Sequence, residues 1–150
     1  MKKIKVRRKT FRKVAVRHFE KTLKEVTEKT SKYHAYQFRA YIRAVIEEQR
    51  YKWYPLSYKY LDWKKTIGLD QRIFIATGEY IDSISVNKYN NAKKPATGYT
   101  VGLPHKKHTM SKLYLDDLAK VLEFGTYTMP ARPHWRPALT LYLNKTKSGR

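Results

Sequence analysis

Residues 80–103 read YIDSISVNKYNNAKKPATGYTVGL. Ile84 and Val86 alternate with Ser83, Ser85 and Asn87, a period of two that predicts a strand beginning near Ile81 to Ser83. Gly98 to Leu103 repeats the pattern, with Tyr99, Val101 and Leu103 on one face, and the polar stretch Asn90 to Ala96 between the runs is rich in turn formers. The two runs therefore predict an antiparallel hairpin. Most of the remaining chain carries helical spacing, so the expected class is α+β. N-terminal helices pack against a small antiparallel sheet, with a Pro/Arg-rich corner near the C-terminus.

Upstream of the hairpin, Val16, Phe19, Leu23 and Val26 recur at helical spacing and predict an amphipathic helix over 11–29. A second helix is expected over 32–50, with Ser31 as its cap and Tyr33, Tyr36, Ala40, Tyr41, Ala44 and Val45 on one face. A tyrosine stripe of this kind packs a core or a helix interface far more often than it stacks on bases. Pro55 breaks the pattern, and Ser57 caps a short helix through Tyr58, Leu61 and Trp63 towards Gly68. Arg72 to Ala76 is a short apolar run ending at Thr77-Gly78.

Downstream, Pro104 to Lys112 reads as a polar, basic loop. Leu115, Leu118, Ala119 and Leu122 then restore helical spacing up to a stop at Gly125. In 138–143 the alternation of Leu139, Leu141 and Leu143 favours a strand over the helix that Leu139, Tyr142 and Leu143 also fit. The 150 residues suit one domain, placed at 13–145 between a basic arm at 1–12 and a frayed tail at 146–150.

Charge is the loudest compositional feature. The net charge is +21, and residues 1–65 carry 20 Lys and Arg against 6 acids, while 66–150 carry 13 against 6. A surface this basic repels itself, so an anionic partner or a neighbouring subunit is expected to neutralise it. The first thirteen residues hold eight basic side chains, Lys2, Lys3, Lys5, Arg7, Arg8, Lys9, Arg12 and Lys13, and no acid precedes Glu20. This arm is either a solvated tail or a contact for DNA or an acidic protein, as are the loop lysines Lys93, Lys94, Lys106 and Lys107. No apolar segment follows the basic start, so it is not read as a secretory signal, and no window reaches membrane-spanning length. The absence of cysteine removes disulfides, zinc-thiolate sites and thiol catalysis, and fits a reducing compartment.

Enzyme chemistry finds little footing. His105 and His108 form the one close histidine pair, in a polar loop with no acid nearby, so no metal or other cofactor is expected there. A metal-dependent nuclease built on Glu79, Asp82 and Asp116 can be drawn, but solvated carboxylates explain them more simply, and Asp116 with Asp117 suit a helix start.

Residues 123–139 read EFGTYTMPARPHWRPAL, and this block carries a resemblance. Met129-Pro130-Ala131-Arg132-Pro133 with Arg136-Pro137-Ala138-Leu139 is similar to the P-A-R-P-F-x-R-P-A-L motif closing a family of bacteriophage tail-component or virion-morphogenesis proteins. Those proteins complete the tail and join it to the head. Trp53-Tyr54-Pro55-Leu56-Ser57 with Tyr60 and Lys64 resembles that family's W-x-P-L-S helix start. Ile73 to Ile75, Thr77-Gly78, Tyr80, Ser83-Ile84, Val101-Gly102 and Leu118 to Thr126 follow in the family's order. The likeness spans about 53–139; the arm, the long aromatic helix and the loop from His105 to Lys112 lie outside it, and His134 stands where the family has an aromatic residue.

The resemblance implies a non-catalytic structural subunit of the phage neck, a tail terminator or head-tail joining protein. It implies a ring, a homo-hexamer, that connects tail to head around the DNA channel and touches head-completion or connector and tail-tube proteins, with phage DNA passing through. The protein would reside in the virion after assembly in the host cytoplasm. The alternative is a stand-alone basic nucleic-acid-binding protein. Residues carrying structure or subunit contact would be Trp53, Pro55, Leu56, Gly78, Glu123, Phe124, Gly125, Thr126, Pro130, Arg132, Pro133, Arg136 and Pro137. Prolines 130, 133 and 137 stiffen an extended corner, from which Arg132 and Arg136 are expected to fork onto Glu123 or a neighbour's carboxylate.

Overall fold

The structure, a computed structural model, describes residues 8–90 and 97–148, with side chains over 16–89 and 98–148. Its order is α1 (Arg8–Glu47), α2 (Tyr58–Thr66), α3 (Glu79–Asp82), β1 (Ser85–Asn90), β2 (Thr97–Gly102), α4 (Leu115–Phe124) and α5 (Trp135–Lys147). The class is the expected α+β, a long N-terminal helix packed on a small antiparallel sheet. No described helix is long and apolar enough to cross a membrane.

The two expected N-terminal helices are one. α1 runs through Ser31 without a break, because Lys29 to Lys32 holds neither Gly nor Pro, and serine and threonine are tolerated inside a helix. Thr22 and Thr27 bond their hydroxyls back to the carbonyls of His18 and Leu23, a use that needs no helix end. At 40 residues α1 is about 60 Å long, and it runs across the expected boundary between arm and domain. It stops at Glu47, where Gln49 adopts the left-handed region at φ 51°.

The buried face of α1 keeps Val45 and part of Tyr41 and Ala44 from the expected tyrosine face but is otherwise shifted from it. Ala35, Phe38, Ile42, Val45 and Ile46 are buried, whereas Tyr33 and Tyr36 are exposed. Phe38, Ile42 and Ile46 join Ile75, Tyr80, Ile81, Ile84, Leu115 and Ala138 in one core. Aliphatic residues at this spacing bury more completely than tyrosines, whose hydroxyls must find a partner.

The hairpin forms as expected, pairing Val86 with Val101 and Lys88 with Tyr99, and its turn lies outside the described residues. Its first strand starts later, at Ser85, because Gly78 at φ 82° opens the one-turn helix α3, which buries Tyr80 and Ile81. Arg39 Nε donates to the Ile84 carbonyl at 2.7 Å, Arg43 pairs with Asp82 at 2.8 Å, and Lys88 pairs with Glu28. These contacts lay the hairpin back along α1 towards its N-terminus.

α2 begins as expected, with the Ser57 hydroxyl accepting from the Tyr60 amide at 3.3 Å. α4 ends as expected at Gly125. The strand favoured over 138–143 is instead part of α5. Trp135, Ala138 and Tyr142 face α1, while Leu139, Leu141 and Leu143 are exposed, so the leucine alternation marked no sheet face. α5 continues to Lys147, into the segment expected to fray.

Candidate assembly surfaces and the corner that carries the motifs

The segments 53–57 and 123–137 meet at one place. Gly125 turns the chain out of α4 at φ 75°, and a side chain there would sit 2.7 Å from the Ala131 nitrogen and 2.8 Å from the Met129 carbonyl. Only glycine permits that approach. The returning chain is pinned by Thr126 N to Met129 O and by Arg132 N to Leu122 O, each 2.8 Å.

Glu123 closes the corner, in a way opposite to expectation. Among the described residues its carboxylate takes no guanidinium; it accepts the backbone amides of His134 at 2.8 Å and of Trp135 and Arg136 at 3.0 Å. It is thus the N-terminal cap of α5, supplied by another helix, at the end where the helix dipole favours an anion. Burial pushes the carboxyl up, but the three amides outweigh it and hold the group below its ordinary value. Pro133 precedes this helix start and Pro137 sits in its first turn, where a missing amide costs nothing.

The two arginines go elsewhere for the same reason. Arg132 is buried, and its Nε and Nη2 donate to the carbonyls of Tyr54 and Pro55 at 2.8 and 3.0 Å. Arg136 lies over the Phe124 ring, 4.6 Å from its centre. Trp53 completes the joint by donating its Nε1 to the Pro133 carbonyl at 2.7 Å, and its ring meets Phe74 edge-on. Leu56 and Pro55 line the cavity beside this joint, as does Pro130.

His134 is packed as an aromatic ring. It is fully buried, its ring lies 4.4 Å from Phe74, and its Nε2 is 2.6 Å from the Tyr80 hydroxyl. Nδ1 faces the Arg132 carbonyl at 3.1 Å, which can only accept, so Nδ1 carries the proton. Nε2 then accepts from Tyr80 O–H, whose oxygen accepts from Trp135 Nε1 at 3.2 Å. Burial holds the imidazole neutral, lowering its pKa to about 4, and raises that of Tyr80. Tyr80, Trp135 and His134 thus form a closed polar chain inside the core. Sequence spacing could not join residues 54 positions apart.

The candidate basic contacts are scattered. Lys2, Lys3, Lys5, Arg7, Lys93 and Lys94 lie outside the described residues, and Arg8, Lys9, Arg12 and Lys13 lie on the first turns of α1. Lys106 is exposed, 3.8 Å from Glu79, and Lys107 sits over the Tyr114 ring. The histidine pair does have acids close in space. His105 Nδ1 is 3.1 Å from Asp116, and His108 Nε2 is 3.7 Å from Glu79, so the reading of a loop far from carboxylates is corrected. Asp82 is engaged by Arg43. Among the described residues no three metal-ligating side chains gather.

Two surfaces were less legible. From Val16 to Thr30 every side chain of α1 except Glu28 is exposed, and Val16, Phe19, Leu23 and Val26 form a bare stripe with the alternating three and four spacing of a helix seam. An open cavity of about 890 Å³ lies between α2 and the corner, with Lys64 and Arg132 in its wall. Lys64 is buried, its ammonium donating to the carbonyls of Arg72 and Ile75 at 2.9 and 3.1 Å.

Comparison with protein-family models, with curated proteins and with solved structures finds no match to this chain.

Proposed function

We propose that the chain is a structural subunit of a phage neck, a tail terminator or head-tail joining protein that forms a ring, a homo-hexamer, completing the tail and connecting it to the head around the DNA channel. The carrying observation is the corner. The two sequence blocks that resemble the phage family, with bonded residues 77 to 80 positions apart, close on each other through Trp53 to Pro133 and Arg132 to Tyr54 and Pro55. A chance likeness in two distant blocks would have no reason to fall on one hydrogen-bonded unit. The role is one of shape and contact, without catalysis, cofactor or metal.

The bare stripe of α1 supports the same reading. A protruding helix with an apolar seam is suited to a second subunit, and patches of this kind mark interaction sites. A neighbouring ring of acidic surface, or DNA in the channel, would offset the charge of +21.

Deleting the gene from the encoding phage tests the proposal. The expected result is filled heads and free tails that fail to join, restored by the gene in trans; virions with firmly joined tails would refute it. The second reading, a stand-alone nucleic-acid binder, is favoured by the exposed cations Arg17, Lys21, Lys24 and Lys29 along α1. It requires micromolar binding to duplex or single strands near physiological salt, with a steep salt slope.

A further inference from the structure

The cavity beside the corner combines two features that do not ordinarily coexist. Its walls are largely apolar and aromatic, with Tyr54, Trp63, Phe74, Leu118 and Met129 among them, yet it also exposes parts of two buried cations. Arg132 is 6% and Lys64 2% exposed, and neither has a carboxylate partner among the described residues. Tyr60 stands beside both, its ring 5.5 Å from the Lys64 ammonium and its hydroxyl in the field of Arg132. Backbone carbonyls satisfy the bonded protons, Asp70 acts on Lys64 only through its field while bonding Arg72, and no described carboxylate pairs directly with either cation, whereas buried charges are ordinarily paired. Burial accordingly depresses the pKa of both groups. The Nη1 group of Arg132 takes no hydrogen-bond partner among the described residues, which leaves part of its planar fork for an incoming acceptor.

We propose that this cavity is a docking site for an apolar or aromatic peptide segment bearing an aspartate or glutamate, supplied by a different protein. The charge selects the carboxylate and the aromatic wall selects the flanking side chains. Another copy of this chain is poorly equipped to supply it. Its acids at Glu48, Asp70, Asp116 and Asp117 already face Arg50, Arg72, His105 and Lys120; its exposed Glu20 and Glu25 lie on α1 among Arg17, Lys21, Lys24 and Lys29, whose charge opposes approach to two recessed cations, and Asp62 lies on α2, the helix that carries Lys64 itself. Single-stranded nucleic acid would favour an open basic track over two recessed cations at the side of a pocket. The inference deepens the neck reading by giving the chemistry of a partner. It can fail alone, because ring formation does not depend on what the cavity holds.

The test is selection of a random displayed peptide library on the folded full chain, followed by titration of the synthetic winner. Enriched peptides should pair aromatic or leucine residues with Asp or Glu and bind one per chain. Replacing that acid by its amide should weaken binding about tenfold or more. Thr128→Trp, at an exposed position on the cavity rim, should abolish binding without altering the unfolding curve. Lys64→Met should weaken it, with circular dichroism as the check on folding. Failure to enrich, winners without an acid, binding indifferent to Thr128→Trp, or equal displacement by oligothymidylate would each overturn the proposal.

Discussion

Replacing Glu123 isolates the joint on which the corner depends. Its carboxylate is buried and accepts three backbone amides, two on Oε2 and one on Oε1. Glu123→Ala strands those amides at the start of α5, where one unsatisfied buried donor costs about 1–3 kcal/mol and a lost cap about 1 kcal/mol. The contributions overlap, because the freed helix end can fray and admit water, so the expected loss is about 3–5 kcal/mol. Glu123→Gln can turn its carbonyl to the two amides on the Oε2 side but presents an NH2 to the Arg136 amide, so about 2–3 kcal/mol is expected. With a urea slope of about 2 kcal/mol/M, the alanine variant shifts the midpoint down by roughly 1.5–2.5 M and the glutamine variant by about half as much. Equilibrium unfolding followed by far-UV circular dichroism and by tryptophan fluorescence, which Trp53 and Trp135 report from the corner itself, measures both. The capping account fails if alanine costs under about 0.5 kcal/mol or if glutamine costs as much as alanine.

Gly125→Ala places a methyl against the Ala131 nitrogen at positive φ and is expected to cost about 2–4 kcal/mol, whereas Gly68→Ala, at φ 71° in open space, costs about 1 kcal/mol; the same unfolding assay ranks them. His134 is bound neutral with its pKa depressed from 6.5 to about 4, so the unfolded state takes up the proton first, and stability is full above pH 6.5 and falls towards pH 4. Glu123, held below its reference value of 4.5, adds a further loss as pH drops below that value. Stability measured across pH 4–7 should therefore slope downward with acid, and His134→Gln should flatten the upper part of that slope. Phe19→Ser with Leu23→Ser, both on the exposed seam of α1, should leave the unfolding free energy within about 0.5 kcal/mol of wild type while reducing assembly in sedimentation.

Local signals were legible where they carried their own physics. The alternation around Val86, the Ser57 cap and the Gly125 stop each depend on neighbouring residues; the cap and the stop are found where spacing put them, and the strand begins a few residues later, at Ser85. What spacing could not supply was partnership. The leucine alternation at 139, 141 and 143 imitates a strand, but no strand lies beside it, and Trp135, Ala138 and Tyr142 bury the other face of a helix. Ser31 is a competent cap with no helix end to serve, because nothing nearby breaks α1.

The corner was legible as a rigid element and illegible in its wiring. Prolines and arginine in a short stretch announce a constrained turn, but whether Arg132 meets Glu123 or a carbonyl depends on where 53–57 lies in space. Once α5 begins beneath Glu123, three amides claim its carboxylate, and the guanidinium turns to Tyr54 and Pro55. The cavity cations were hidden for the same reason, since Lys64 is unremarkable in a helix of YKYLDWKKT until the chain from Arg72 to Ile75 folds over it.

The ring is the central claim, and electron micrographs of the purified protein mixed with isolated phage necks test it most directly. The account predicts a ring of about six copies seated between the head and the tail tube, abolished by the Phe19→Ser and Leu23→Ser pair. Protein that stays monomeric and adds no density at the neck would contradict it.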